Sequence, residues 1–393
     1  MRLKPDAMVP GLLDGFRVID LGSFITAPFA AMLLGDLGAE VIKVERPGGG
    51  DPFRNFESGL YGPQFKAFNR NKKSLVLDLT TEGDRKLLAE LVRRSDALIE
   101  NYRPGVMKRL GLDAQAATAL NPRLVYCSIT GFGADGPSAG MAAYDTVAQA
   151  ASGYLSLFVS PGDTTIKGPA AADAVTGLYA AYGVLGALLS RERTGQGRVL
   201  DVPMMAAVAH FASEPYQHYF TRGIVPAPVH RSQISQSFAF ACADGALLAV
   251  HLSSPVKFWE GLIAATGRAD LAADPRFAGR MDRVNNYAAL ETALAATFAA
   301  KPRGEWIELL TSHDVPHAPV LSLAEVVDDP QARHIGLEQR ATHPVEGEVR
   351  GIRNPIGFAG APESFDPPPV LGEDSDALRA WLAAPDDQRT KPK

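Results

Sequence analysis

One stretch near the N-terminus, residues 15–54, constrains the fold of this chain more than any other. Residues 16–21 form a short, mostly apolar run, which is typical of a buried parallel strand. A loop of small residues follows, and Pro28 suits the first turn of a helix, where its missing N–H would be unpaired anyway. Gly38 fits the left-handed position after such a helix. With a second apolar run at 41–44, the pattern predicts a strand–helix–strand unit, the seed of a parallel α/β sheet.

The loop of this unit differs from that of a dinucleotide-binding fold. Such a fold places G-x-G-x-x-G between the first strand and the helix, whereas this chain has Gly22-Ser23-Phe24-Ile25-Thr26-Ala27. The missing glycines argue against a nicotinamide-dependent dehydrogenase. Arg46 follows the second strand, which places it at the carboxyl edge, where open α/β sheets bind their ligands.

The same alternation continues through the first half of the chain. Further strands are predicted at residues 75–79, 97–100, 124–128 and 199–202, and Thr80 is predicted to cap the helix between the first two. Strands that alternate with helices imply parallel pairing. The fold class is therefore predicted to be α/β, with a Rossmann-like parallel sheet in a large domain.

The second half has a different organisation. Residues 216–233 contain Pro226 and Pro228 and show no periodicity, which is typical of a linker. Beyond them a smaller α+β domain is predicted, with a hairpin across Ala243-Asp244-Gly245, several helices and one short strand. The predicted plan is a large domain over 1–215, a linker over 216–233, a small domain over 234–330, and a C-terminal segment over 331–393 with a strand pair and a last helix.

Composition and charge exclude several classes of function. A chain of 393 residues is expected to form two domains. Its net charge of −5 gives no reason to expect a nucleic acid or a membrane surface as partner. No metal-ligand spacing is present, and the two cysteines, Cys127 and Cys242, fit a reducing compartment. The N-terminus lacks the apolar run of a signal peptide, and the uncharged stretch 174–190 is predicted to be a buried helix, so a cytoplasmic protein is expected.

Several motifs together resemble one enzyme family. The strand–helix–strand unit is similar to the N-terminus of the family III CoA-transferases, which include formyl-CoA transferase, the carnitine CoA-transferases and α-methylacyl-CoA racemase. The further matching motifs are collinear along the chain: Asn69-Arg70-Asn71-Lys72-Lys73-Ser74, Glu100-Asn101-Tyr102-Arg103-Pro104-Gly105 and Gly131-Phe132-Gly133. The resemblance implies an interlocked homodimer, a C-terminal segment that packs on the large domain, and acyl-CoA as substrate with no tightly bound cofactor.

Asp173 is the predicted catalytic residue. It is the only charged residue between Lys167 and Arg191, and it precedes an apolar helix for which aspartate is also a favoured N-cap. A helix N-terminus is expected to keep the carboxylate ionised. The resemblance implies the chemistry, because the catalytic aspartate of the family lies in a similar small-residue segment. Asp173 is then the nucleophile that forms an anhydride and afterwards an aspartyl-CoA thioester.

The resemblance assigns two more elements to the reaction site. The loop with Ser23, Ile25, Thr26 and Ala27 is predicted to supply backbone N–H groups for the oxyanion. Ile25 stands where formyl-CoA transferase has a glutamine, which argues against formyl or oxalyl specificity. Tyr144 and Asp145 begin a predicted helix, and the racemase branch has histidine in place of Tyr144. Because tyrosine is a poor base near neutral pH, this difference favours CoA transfer over racemisation.

CoA itself is assigned to cationic and aromatic residues by the same resemblance. Arginine suits phosphate through bidentate pairing and stacks on a purine, whereas the two lysines also fit an exposed turn and Arg109 an exposed helix. The predicted CoA-binding residues are Arg46, Lys72, Lys73, Asn101, Tyr102 and Arg109.

The leading hypothesis is transfer of CoA from an acyl-CoA to a free carboxylic acid, with small dicarboxylic acids as plausible partners. The alternatives are an acyl-CoA racemase or epimerase on the same fold, a dehydrogenase, and a CoA-binding protein without catalysis. The sequence does not name the acid pair.

Overall fold

The computed structural model describes residues 11–57, 59–358 and 361–384. The N-terminal residues on which the leader prediction depends lie outside this range. The described chain divides into two compact units: residues 11–155, 166–213 and 336–384 form unit 1, and residues 156–165 and 214–335 form unit 2.

Unit 1 is built on a six-stranded sheet with all neighbouring strands parallel. The strands are β1 Arg17–Asp20, β2 Glu40–Glu45, β3 Lys72–Val76, β4 Ala97–Glu100, β5 Val125–Thr130 and β6 Arg198–Pro203. Their spatial order is β3-β2-β1-β4-β5-β6, which is that of a doubly wound sheet. The order reverses between β1 and β4, and the carboxyl ends of these two strands are where such sheets bind ligands.

Eight α-helices lie among these strands in the described part of unit 1 up to residue 213. They are α1 Thr26–Asp36, α2 Pro63–Phe68, α3 Glu82–Arg93, α4 Val106–Arg109, α5 Ala114–Leu120, α6 Asp145–Ala151, α7 Ala171–Thr194 and α8 Met204–Phe211. Successive strand residues face opposite sides, so Val18 packs in the core of α1 and α7, whereas Ile19 packs in the core of α3 and α5. The two cores hold the sheet between two helical layers.

Unit 2 is a smaller α+β unit. Its antiparallel sheet has the order β7-β8-β9, with β7 Ser237–Ala241, β8 Leu247–His251 and β9 His317–Pro319. The predicted hairpin across Asp244 is therefore present. The helices are α9 Ser213–Arg222, α10 His230–Ser235, α11 Val256–Thr266, α12 Ala269–Ala273, α13 Arg280–Asn285, α14 Tyr287–Phe298, α15 Arg303–Ser312, α16 Leu323–Asp328 and α17 Pro330–His334, the first of which begins in unit 1.

The chain then returns to unit 1. The hairpin β10 Glu338–His343 and β11 Gly347–Ile352 is followed by α18 Ser375–Ala383. Arg379 pairs with Asp84 at 2.7 Å, and the Asp374 carboxylate accepts the Ser74 N–H at 2.9 Å. These contacts place the C-terminal segment against β3 and α3.

Three predicted boundaries were wrong. β3 begins at Lys72 rather than residue 75, because Lys72 is neutralised inside the fold. Thr81, not Thr80, caps α3 by accepting the Asp84 N–H at 3.2 Å. The predicted linker over 216–233 is largely helical, since α9 and α10 occupy most of it.

Helix α7 carries Asp173, the predicted nucleophile, in its first turn. Among the described residues it is the single helix long and apolar enough to cross a membrane, and half of that apolar window is buried in the fold. Gly177 allows α7 to approach α1 closely, because a Cβ there would lie 2.9 Å from the Thr26 carbonyl oxygen. The same helix leaves Leu178 and Tyr182 exposed by 52% and 75% on its surface.

Candidate active site

A cavity of about 320 Å³ opens at the carboxyl edge of the sheet in unit 1. It is lined by the loop after β1, the segment after β4, the end of β5 and the first turn of α7. The lining residues are Ser23, Phe24, Ile25, Thr26, Asn101, Tyr102, Arg103, Pro104, Ile129, Thr130, Gly131, Ala139, Met141, Ala143, Tyr144, Asp173 and Met204. The structure thus brings the predicted nucleophile, the predicted oxyanion loop and Tyr144 to one cavity.

The loop after β1 has an unusual backbone that side chains hold in place. Phe24 has a φ of 65°, the left-handed region that a bulky residue rarely adopts. Its ring packs edge-to-face on Phe53 and Tyr144, with ring centroids 5.2 and 5.8 Å apart. Position 22 has room only for glycine, because a Cβ there would lie 2.3 Å from the Ala27 Cβ. The loop therefore turns tightly into α1.

The first turn of α1 begins at the cavity, and its leading amides lack an internal acceptor. Ile25 is the N-cap and supplies no side-chain hydrogen bond. Within the described chain, the N–H groups of Ile25, Thr26 and Ala27 have no acceptor, as expected for the first turn of a helix. Ile25 and Thr26 also line the cavity, which makes their unpaired N–H groups the candidates for an oxyanion site.

Asp173 lies in the first turn of α7 rather than at its cap. The N-cap is Ala170, and its position provides no side-chain acceptor, so the predicted capping role of Asp173 was wrong. The expectation that the helix end keeps this carboxylate ionised was also wrong. Burial, and second the nearby Asp145 carboxylate, raise the pKa of Asp173 to about 7.

Asp145 does the capping of α7 from the neighbouring helix α6. Its Oδ1 accepts the N–H groups of Ala172 and Asp173 at 2.8 and 3.3 Å, and its Oδ2 accepts from Gln149 Nε2 at 2.6 Å. The residue therefore fixes the start of α7 and lies beside Asp173 at the same time. Tyr144 is the N-cap of α6 and is 63% exposed, so it lines the cavity at its rim.

A buried group of charges lies beneath the loop. Lys43 Nζ lies 3.4 Å from Asp20 Oδ2 and 2.8 Å from Asp51 Oδ2, and the side chains of all three are fully buried. Lys72 Nζ donates to Asp20 Oδ2, the Pro28 carbonyl and Asn69 Oδ1, each at 2.8 Å. An ammonium group has three donors, so the predicted phosphate contact of Lys72 was wrong: all three donors are used inside the core.

Lys73 also fails as a CoA ligand, for a different reason. Its Nζ lies 3.0 Å from Glu40 Oε1. Glu40 is the first residue of β2 and pairs in register with Arg17, the first residue of β1. Because the amino ends of parallel strands share one edge, Lys73 points to the edge opposite the cavity.

The other predicted CoA residues lie at or near the carboxyl edge. Tyr102 lines the cavity, and its N–H donates to Glu100 Oε2 at 2.8 Å. Arg46 directly follows β2 and is exposed, with its Nε donating to the Gly50 carbonyl at 3.1 Å. Arg109 ends α4 and is exposed. Asn101 lines the cavity, but its amide is occupied by the loop: Oδ1 accepts from Ser23 N–H, and Nδ2 donates to the Ser23 carbonyl and Thr26 Oγ1.

Comparison with known proteins decides the family. A family model described as CoA-transferase family III matches residues 13–375. The chain belongs to CoA-transferase family III. It is 36% identical over 388 residues to an acetyl-CoA:oxalate CoA-transferase of Acetobacter aceti, which covers 96% of this chain and 97% of that protein. It is 33% identical over 381 residues to a succinyl-CoA:glutarate CoA-transferase of Mus musculus, covering 94% and 85% of the two chains.

A solved structure extends the similarity to the fold. The crystal structure of a CAIB/BAIF family protein from Brucella suis superimposes with a TM-score of 0.83 at 33% identity, covering 95% of this chain and all of that one. This family III CoA-transferase is therefore an enzyme with the α/β architecture of that protein, and its substrates are CoA thioesters.

Sequence reasoning missed several residues of this CoA-transferase site. Arg103 is the one cationic side chain among the described residues that line the cavity. Its motif was noted, but the arginine was given no role. Lys43 and Asp51 also went unnoticed, although a lysine inside the apolar run Val41-Ile42-Lys43-Val44 is a signal that a buried partner must exist. Groups of three or more metal-ligating side chains are absent from the described part of the chain.

Proposed function

We propose that this enzyme transfers CoA from an acyl-CoA to a free carboxylate, with Asp173 as the covalent nucleophile. The observation that carries this proposal is the shared cavity of the Asp173 carboxyl and the free N–H groups of Ile25 and Thr26. A carboxylate nucleophile beside preorganised donors is the arrangement that acyl transfer through tetrahedral intermediates requires.

The reaction proceeds by four acyl exchanges at Asp173. Its carboxylate oxygen attacks the thioester carbonyl, the carbon–sulfur bond breaks, and CoA leaves as thiolate from a mixed anhydride. The thiolate then attacks the aspartyl carbonyl carbon and releases the donor acid as a carboxylate. The acceptor carboxylate attacks the resulting aspartyl-CoA thioester and expels the thiolate. Attack of the thiolate on the acceptor's carbonyl carbon gives the new acyl-CoA and regenerates Asp173.

The protonation state of Asp173 sets the pH range of this chemistry. A pKa of about 7 means that a substantial fraction of the free enzyme carries a protonated, non-nucleophilic carboxyl at neutral pH. The kcat/KM for acyl-CoA therefore rises with pH through about 7. The backbone donors of Ile25 and Thr26 stabilise the oxyanion, and Ala27 continues the same helix turn; no side-chain amide is needed at position 25.

CoA is held at the carboxyl edge by Arg46, Tyr102 and Arg109, with Arg103 added from the cavity lining. Arg46 and Arg109 are exposed and carry guanidinium groups that suit phosphate. Tyr102 offers an aromatic face next to the cavity. Small dicarboxylic acids are the proposed acceptors, because a similar enzyme is named for succinyl-CoA and glutarate.

Racemisation of an acyl-CoA is the second candidate, and the raised pKa of Asp173 is the observation that favours it. A carboxyl that titrates near pH 7 suits proton transfer at an α-carbon. Against it, inversion at the α-carbon needs a second acid–base group, and Tyr144 stands where the racemase branch has a histidine. Incorporation of deuterium at the α-carbon without any acceptor acid would support racemisation.

A homodimer with interlocked chains is proposed for the assembly, in the cytoplasm. An apolar groove of about 880 Å³ lies along α1, α7 and β11 in unit 1, lined by Leu33, Leu178, Tyr182 and Leu185 among others. Exposed Tyr182 and Leu178 belong to this groove, and a contiguous exposed apolar surface is typical of a protein interface. Analytical ultracentrifugation tests the dimer.

Trapping of the intermediate tests the proposed function directly. Wild-type enzyme is incubated with succinyl-CoA and hydroxylamine, and peptides are analysed by mass spectrometry. We expect a hydroxamate on the peptide that contains Asp173, and none in Asp173→Asn. Asp135→Asn is the matched control and should still give the adduct on Asp173. An adduct-free wild-type enzyme that still transfers CoA would refute the covalent route.

A further inference from the structure

The loop that carries the free amides is held by side chains from β1, β2 and β3, by the residue that follows β4, and by Asp51 in the segment after β2. We propose that Asn101 and Lys43 are positioning residues, which fix the loop at residues 22–28 so that the Ile25 and Thr26 N–H groups point at the reacting carbonyl. This inference rests on the proposed function. We call the five side chains involved the loop frame: Asp20, Lys43, Asp51, Lys72 and Asn101.

The loop frame makes hydrogen bonds to the backbone of Gly22, Ser23, Phe24 and Pro28. Asp20 Oδ1 accepts the Gly22 N–H at 3.0 Å, and Lys43 Nζ donates to the Gly22 carbonyl at 3.0 Å. The Asp51 carboxylate accepts the Phe24 N–H at 3.3 Å. Between β1 and the start of α1, the described backbone groups of Gly22, Ser23 and Phe24 make no hydrogen bond to another backbone group. The hydrogen bonds that fix the backbone of this segment therefore come from side chains.

The side-chain amide of Asn101 has no donor to spare for CoA. Its Oδ1 accepts the Ser23 N–H at 2.9 Å, while its Nδ2 donates to the Ser23 carbonyl at 2.8 Å and to Thr26 Oγ1 at 2.9 Å. Both amide hydrogens are thus used by the loop. From the end of β4 it bridges the start of the loop to the first residue of α1.

The charges of the loop frame balance inside the core. Lys43 and Lys72 face Asp20 and Asp51, so the two positive and two negative groups sum to zero. Two carboxylates beside Lys43 hold its pKa above the usual value despite burial, whereas burial and then the nearby Lys43 charge lower the pKa of Lys72 to about 8, against the pull of Asp20. Lys43 therefore remains a cationic donor to the Gly22 carbonyl across the working pH range.

The frame also retains a strained residue. Phe24 sits at a φ of 65°, and an aromatic residue persists there only where its surroundings enforce it. Asp51 accepts its N–H, and Phe53 and Tyr144 contact its ring. Ile25 and Thr26, which line the cavity, follow directly on this turn. A substitution in the loop frame should therefore change the orientation of their N–H groups while the sheet stays folded.

The test compares Asn101→Ala with Asn121→Ala. Asn121 makes the same set of bonds away from the cavity: Nδ2 donates to the carbonyls of Val92 and Ser95, and Oδ1 accepts the Arg123 N–H. We expect Asn101→Ala to lower kcat about 30-fold or more with KM for acyl-CoA nearly unchanged, as for a lost transition-state interaction. Hydrogen exchange in the peptide 22–29 should become faster. Asn121→Ala should show a similar loss of thermal stability and near-normal kcat.

A charge-balanced double variant tests Lys43 without leaving a buried charge unpaired. Lys43→Met combined with Asp51→Asn removes one positive and one negative group, and the asparagine oxygen can still accept the Phe24 N–H. It should also lower kcat and speed exchange of the loop. Three results would overturn the inference: a kcat in Asn101→Ala no lower than in Asn121→Ala, a higher KM with unchanged kcat, which would make Asn101 a CoA ligand, or a loosened loop with wild-type turnover. Failure of the wild-type enzyme to form the Asp173 adduct would instead refute the proposed function.

Discussion

Replacing Asp173, the proposed nucleophile, should stabilise the free enzyme, and more so at alkaline than at acid pH. The pKa of Asp173 is raised from 3.8 to about 7, first by burial and then by Asp145. Between these two values the folded protein keeps a proton that the unfolded chain has released. Stability therefore falls as the pH rises from about 4 to about 7, and above that the full cost of an ionised Asp173 is present.

The size of the effect follows from the same shift. At 1.36 kcal/mol per unit, a shift of roughly three units corresponds to about 4 kcal/mol as an upper limit. Asp173 is only partly buried in the described fold, so solvent screening reduces this, and we expect about 1–3 kcal/mol for Asp173→Asn at pH 8. At pH 5 the gain should be less than half as large.

Thermal unfolding of the free enzyme at both pH values measures this difference. For a domain of about 200 residues, 1 kcal/mol corresponds to roughly 2–4 °C in Tm, so Asp173→Asn should raise Tm by several degrees at pH 8 and by clearly less at pH 5. Asp14→Asn, at an exposed aspartate of the same unit, is the control and should change Tm little at either pH. A destabilised Asp173→Asn, or a gain that is larger at pH 5, would refute the argument that this carboxyl is held at an energetic cost.

Three further predictions concern the site. Asp145→Asn keeps an oxygen for the Ala172 and Asp173 N–H groups but removes the charge that helps to raise the pKa of Asp173, so the acid limb of kcat/KM should move to lower pH; an unmoved limb would contradict the assignment. Gly22→Ala places a Cβ 2.3 Å from the Ala27 Cβ and should cost about 1–3 kcal/mol of stability together with most of the activity, whereas Gly83→Ala, where a Cβ meets no neighbour, should be tolerated in a Tm and turnover assay. Arg46→Ala should raise KM for acyl-CoA about tenfold with little change in kcat, while Lys73→Ala, at the opposite sheet edge, should leave both constants near wild type; equal effects would place CoA elsewhere.

The parallel sheet could be predicted because its signals are local. Apolar runs such as 16–21 and 97–100 carry strand information in themselves, and the turn residues between them mark where each strand ends. β3 was placed too late because Lys72 and Lys73 look like a solvated turn. Their strand conformation depends on Asp20 and Glu40, residues that are more than thirty positions away in sequence.

The sequence predicted which residues lie together at the cavity, but not their electrostatics. Asp173, Tyr144 and the loop after β1 were assigned together, and the structure places all of them around one cavity. The raised pKa of Asp173 could not be predicted, since it depends on a cap supplied by another helix. A helix end normally favours a carboxylate, but here Asp145 already occupies the amides that would provide that stabilisation.

Asp145 and Asp173 lie at the same helix end but differ in role: Asp145 accepts the backbone N–H groups, and Asp173 has the raised pKa. If Asp173 capped α7 itself, its oxygens would be tied to backbone N–H groups, its pKa would fall, and its nucleophilicity would fall with it. With Asp145 as the acceptor, Asp173 is left without a cap bond and with a more basic oxygen. A more basic carboxylate attacks a thioester more readily once it is ionised. The proximity of the two carboxylates therefore lowers the stability of the free enzyme but leaves the proposed nucleophile free to react. The Tm of Asp173→Asn measures the loss of stability, and the pH dependence of kcat/KM in Asp145→Asn measures the effect on reactivity.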